Sequence, residues 1–199
     1  MNITSRLSAI CQSMWQLIVL MCGPSRTSLR QMLLASRPVW QAARQTIAAL
    51  VKRFPGEAAQ ISCISYSGQM HGLVMVDDRG KLIRNAIIWA DQRSGDEISE
   101  IYKVIGKDNY RNVILNSLST GFLASSLMWV KEHEPEVYNS IDKVMLPKDY
   151  LRYRMCGELG TDMSAASSTA IFDTKRRQWA WNFIDRLGIE RGFFVQCRA

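Results

Sequence analysis

Three short stretches of this chain hold side chains that could do chemistry at spacings that would let them act. Ser65-Tyr-Ser-Gly-Gln-Met-His-Gly72 sets Gln69, Met70 and His71 between two glycines, which allow the backbone to turn or to approach a ligand closely. A polar turn with one partly buried histidine would read the same way, and a small polar ligand is an equal alternative. Trp89-Ala-Asp-Gln-Arg93 follows an apolar run, and the ends of strands are where α/β proteins place ligand groups. Its Asp91 can both hydrogen-bond hydroxyls and lock itself to Arg93 by ion pairing; a strand-to-helix turn with a solvated ion pair is the alternative that this stretch alone favours. In Gly160-Thr-Asp-Met-Ser-Ala-Ala-Ser-Ser-Thr169 the small neighbours leave room around Asp162. Its carboxylate could take a proton from an attacking hydroxyl, or it could cap a short helical turn.

The elements that must position these groups follow from periodicity. Pro38 to Phe54 carries apolar residues at mixed three and four spacing and reads as an amphipathic helix. Ile61 to Tyr66 reads as a short strand, and Gly72–Val76 with Lys81–Ile83 as a hairpin around Asp77-Asp-Arg-Gly80. Ala86 to Ala90 is a further strand. Ser94-Gly-Asp-Glu97 has the pattern of a capping box ahead of a helix to about Val104. Helices over Phe122–His133 and Pro135–Ile141, a strand at Lys143–Leu146, and a helix from Pro147 to Met155 stopped by Gly157 come next, with a last strand at Ala170–Phe172 and a last helix at Trp179–Leu187. The interleaving indicates a mixed α/β domain with a central sheet.

Composition narrows the field. The net charge of +7 suggests phosphate-rich partners, but its distribution argues against them. Met1 to Gly56 has seven Lys and Arg and no Asp or Glu, which leaves 18 basic against 18 acidic residues for the remainder. Nucleic-acid binding is therefore not expected. The apolar run Met14–Cys22 is far below the ~20 residues a spanning helix requires, so no membrane is expected either. A secretory signal, an organelle transit peptide and a displaced reading frame remain open for this leader. Five scattered cysteines with no C-x-x-C pair, and only His71 and His133, suit reduced thiols rather than disulfides or structural zinc. No G-x-x-x-x-G-K-[ST] or G-x-G-x-x-G loop is present.

Taken in order, five segments resemble the N-terminal half of the FGGY carbohydrate kinases, and among them the xylulose kinases. They are Ser67–Gly72, Ala86–Arg93, Trp129–Glu136, Asp142–Arg152 and Thr161–Thr169. The resemblance implies a ribonuclease-H-like/actin-like α/β fold, incomplete at its first strands. It implies a boundary between an atypical leader at 1–37 and the sugar-binding domain at 38–190, with an atypical tail at 191–199. It implies ATP-dependent phosphorylation of the terminal hydroxyl of D-xylulose or a related ketose, with ATP and Mg2+ as cofactors and a cytoplasmic location. Met70 and His71 would contact the sugar, with Gln69 and Trp89 beside them and Asp91 fixing hydroxyls. Asp162 would be the general base. The family's Asp-x-Gly-Thr hairpin has no counterpart before Glu57, and its ATP-binding domain would lie beyond residue 199. The expectation is a catalytically incomplete fragment, open to self-association through an exposed sheet edge. A noncatalytic sugar- or partner-binding remnant is the alternative.

Overall fold

The structure, a computed structural model, describes residues 36–198. The readings on Met14–Cys22 and the rest of the leader before Ser36 lie outside the described residues. Helix α1 (Ser36–Arg53) and a short α2 (Pro55–Ala58) precede an irregular stretch that runs to Gly72. The strand read at Ile61–Tyr66 does not form. Its β-branched residues satisfy the local preference, yet a strand also needs a neighbour to pair with, and Ile61 and Ile64 remain exposed.

Strand β1 (Val74–Val76) is the centre of the fold. It pairs antiparallel with β2 (Lys143–Met145) in the register Val74↔Met145, Met75↔Val144, Val76↔Lys143. On its other side it meets single bridge residues, Leu82 opposite Val76 and Ile87 opposite Leu73. The hairpin around Asp77–Gly80 is therefore present, while Ala86–Ala90 contributes a bridge rather than a full strand. Successive side chains of a strand point to opposite faces, and both faces here are covered. Leu73 and Met75 enter the main core; Val74 and Val76 enter a smaller cluster with Leu82, Ala86, Met145 and Tyr150.

Helices α3 (Gly95–Ile105), α4 (Lys107–Ile114), α5 (Leu123–His133) and α6 (Pro135–Asn139) all contribute to the main core. In α3, Glu97, Ile101 and Ile105 fall four apart and are buried on one face. The capping box read at Ser94 is not made. The Ser94 hydroxyl instead donates to Ser125 Oγ at 3.2 Å, which ties the start of α3 to α5. Helix α5 buries seven of its residues, including Ser125 and Ser126, as suits a helix enclosed on most sides.

The last third carries α7 (Pro147–Cys156), β3 (Thr161–Asp162), α8 (Met163–Ser167), β4 (Phe172–Asp173), β5 (Gln178–Trp179), α9 (Trp181–Arg186), a 3-10 turn (Arg191–Phe193) and β6 (Cys197–Arg198). Gly157 ends α7 at φ 75°, the left-handed cap its position calls for. Strand β4 pairs antiparallel with β5, and β3 pairs parallel with β6. Among the described residues the expected central sheet is thus three two-stranded pieces rather than one. The tail read as atypical is part of this packing: Phe193, Phe194 and Val195 are buried, and Phe194 bridges to Val144. No helix of the described residues is long and apolar enough to cross a membrane.

Candidate sugar site

The irregular stretch ends where the backbone is most constrained. His71 has φ 73°, in the left-handed region that costs a non-glycine residue about 1–2 kcal/mol. Gly72 fits where no other residue would. A Cβ there would stand 2.9 Å from the Ile87 carbonyl oxygen and 3.1 Å from Pro147 Cγ, so the chain is wedged between the β1 bridge and the start of α7.

That wedge presents the His71 ring. One face is stacked on Phe122, with centroids 4.0 Å apart and planes 4° from parallel. Nδ1 lies 2.8 Å from the Ser168 carbonyl oxygen. A carbonyl only accepts, so Nδ1 carries the proton and donates it. In the neutral ring Nε2 is then a bare acceptor, able to receive a hydroxyl proton. Met70, beside it, is exposed. Gln69 Nε2 is buried with no hydrogen-bond partner among the described residues, a donor in want of an acceptor.

The second stretch adjoins the first through Gly121, the residue before Phe122. A Cβ at Gly121 would lie 2.4 Å from the Trp89 carbonyl oxygen, so the backbones of the two loops touch. Trp89 itself is 55% exposed. Asp91 is not free in the same way. Its Oδ1 accepts from Arg93 Nε at 2.8 Å and from the Arg93 backbone N–H at 3.0 Å, and its side chain is only 6% exposed. Burial alone would raise its pKa, but these bonds and the Arg93 charge outweigh it and hold the carboxyl below its ordinary range. The Arg93 guanidinium in turn lies 4.7 Å over the Trp129 ring. Asp91 locks its own loop.

Asp162 closes the group. It is the N-cap of α8, with Oδ1 accepting from the Ala165 N–H at 2.8 Å, so the capping alternative is realised. Oδ2 lies 2.6 Å from Lys148 Nζ, and the same ammonium is 2.6 Å from Asp149 Oδ1. Burial works to raise the Asp162 pKa, but the bonds from Lys148 and Ala165 prevail and lower it. Both carboxylate oxygens thus have partners. Helix α8 runs directly from Asp162 to the Ser168 carbonyl that holds His71, so the first and third stretches are joined through one short helix.

Lys148 and Phe122 are the members that reading the sequence missed. The signal for Lys148 was a cation in the first turn of a helix, where the backbone dipole disfavours positive charge unless carboxylates compensate. The described residues do not fit a Mg-ATP site beside the His71 loop. Asp149 and Asp162 are both held by Lys148, and among the described residues the set of three ligand-type groups close together, Glu97, Glu132 and His133, joins α3 to the end of α5. A cavity of about 230 Å3, lined by Trp40, Gln41, Lys81, Leu82, Tyr150 and Arg154, lies between α1 and α7 and includes none of the residues read as the site.

Comparison with known proteins adds four findings. The sequence model for the N-terminal domain of the FGGY family of carbohydrate kinases matches residues 35–198. The chain is 42% identical over 127 residues to the xylulose kinase of Staphylococcus xylosus, covering 64% of this chain and 26% of that protein. It is 38% identical over 141 residues to the xylulose kinase of Escherichia coli, covering 71% of this chain and 28% of the other. It thus spans little more than a quarter of the length of these relatives. Among solved structures, a xyloylose kinase from Brucella ovis superposes with a TM-score of 0.74 at 35% identity, over 78% of this chain and 32% of that one. The fold is the actin-like α/β fold of sugar kinases, with its strands incomplete.

Proposed function

The chain belongs to the FGGY family of carbohydrate kinases, as an N-terminal domain, and on that footing we propose that it is the sugar-binding part of a ketose kinase of xylulose-kinase type. The observation that carries the reading is the hold on His71. A strained backbone, a stacked Phe122 and the Ser168 carbonyl fix the ring with Nε2 as an acceptor. Preorganisation of this kind suits recognition of a hydroxyl whose proton must point one way. Met70 and Trp89 offer exposed apolar surface to the C–H face of a sugar. D-xylulose is the substrate that the similarity favours, and Asp91 serves by holding its loop rather than by direct contact.

In the reaction of this class the terminal sugar oxygen bonds to the γ-phosphorus of ATP as the bond to the β-phosphate oxygen breaks, ADP leaves and the hydroxyl proton passes to a base. This chain's residues bind and orient the sugar. Asp162, the expected base, would have to release Lys148 before an oxygen could accept a proton, and its lowered pKa opposes acceptance. That observation favours the noncatalytic variant of the reading: the chain by itself holds the ketose and does not phosphorylate it.

The experiment is ADP release from Mg-ATP with D-xylulose and the purified chain, run beside Asp162→Asn. The expected result is no turnover above background. Turnover that Asp162→Asn abolishes would return the base role to Asp162 and overturn the noncatalytic variant.

A further inference from the structure

Lys148 is a charged side chain between two loops that the sugar reading leaves without a task. Its ammonium bridges Asp149 Oδ1 and Asp162 Oδ2, and its side chain is 12% exposed against 2% for Asp149. Its stem lies beside the sugar loop, since a Cβ on Gly68 would stand 3.3 Å from Lys148 Cβ. The position is unfavourable for a cation on its own, at the second residue of α7, so the two carboxylates account for its charge there. Burial works against that charge, yet the bonds to Asp149 and Asp162 outweigh it and raise the Lys148 pKa.

We infer that Lys148 is a positioning residue: by tying Asp162 to the buried Asp149 it fixes α8, and through the Ser168 carbonyl it fixes which nitrogen of His71 carries the proton. A five-residue helix does not form on its own. Ala165 and Ala166 bury one side of it in the core and Thr169 beyond it accepts from the Ala124 N–H, while Asp162 anchors its start both as cap and as ion-pair partner; Ser168 lies between these two holds. Displacing that carbonyl by about 1 Å breaks a 2.8 Å hydrogen bond. The His71 proton is then free to move to Nε2, which removes the acceptor the sugar site presents. The effect on sugar affinity rests on the proposed function, whereas the effect on the His71 proton does not.

The test is nitrogen NMR of the full chain labelled with 15N-histidine, at a pH of about 8.5, above the ordinary histidine range. His133, the other histidine, serves as the internal reference. Wild type and Lys148→Arg are expected to show His71 protonated at Nδ1. Lys148→Gln is expected to show a mixture or the Nε2 form, with His133 unchanged and D-xylulose affinity about tenfold lower, the worth of one hydrogen bond. Should Lys148→Gln fail to fold because Asp149 is left unpaired, the double variant Lys148→Met with Asp149→Leu removes both charges and reads the same signal. His71 remaining protonated at Nδ1 with unchanged shifts in the folded variant overturns the inference. If wild type binds no D-xylulose while the proton still moves in the variant, the sugar reading fails and the positioning role stands.

Discussion

His71 lies flat on Phe122, 4.0 Å between centroids, and these two residues come from loops about fifty positions apart. Phe122 ends the loop that begins α5, and Gly121 before it admits the Trp89 carbonyl. The contact therefore joins the first and second candidate stretches, as the Ser168 carbonyl joins the first and third.

Trp89→Ala separates ligand surface from scaffold. The side chain is exposed, so the unfolding free energy is expected to change by less than about 0.5 kcal/mol. D-xylulose affinity is expected to fall several-fold. Urea unfolding with a sugar titration checks both, and an unchanged affinity would remove Trp89 from the site.

Gly72→Ala places a methyl group against a backbone oxygen and a proline ring, neither of which can swing away. Destabilisation of about 1–3 kcal/mol is expected from overpacking, measured by urea unfolding. A neutral result would mean that the loop between His71 and β1 shifts freely.

Lys148→Met leaves the Asp149 carboxylate buried without its partner. Loss of about 3–5 kcal/mol is expected. Adding Asp149→Leu is expected to recover most of that loss, because an apolar pair replaces an ionic one. If the double variant is no more stable than the single one, the ion pair is not the source of the loss.

Asp162 gives a pH dependence with a definite sign. Its pKa is lower in the folded chain than in the unfolded one, so its stabilisation is fully present above the unfolded value of about 4 and is lost as pH falls through the folded value. Asp162→Asn is expected to flatten that acid limb while retaining most of the helix cap, since Asn caps well. Unfolding midpoints from pH ~6 down to ~2.5 check it, and an unchanged acid limb would contradict the Lys148 pairing.

Helices were legible where apolar residues recur at three and four spacing, as over Pro38–Phe54, which forms α1 (Ser36–Arg53); α3 was read from the capping pattern at Ser94, a bond that is not made. Helix α4 was not read because its segment is mostly polar, and only Tyr110 and Ile114 are buried in it. Ile61–Tyr66 misled because β-branching is a local property and pairing is not. Ser94 misled because its hydroxyl found Ser125, thirty-one residues away, in place of its own helix. Of the site, Met70, His71 and Asp162 stood out by their glycine and small-residue surroundings. Of the partners that define what they can do, Phe122 and Ser168 are set by tertiary packing and carry no local pattern, while Lys148 is marked only by a cation in the first turn of a helix.

The proposed recognition of a ketose through His71 is tested by titration calorimetry of D-xylulose into wild type and His71→Ala. Saturable one-to-one binding to wild type is expected, abolished in His71→Ala while its unfolding transition stays cooperative. Equal binding by both chains, or no binding by a folded wild type, would contradict it.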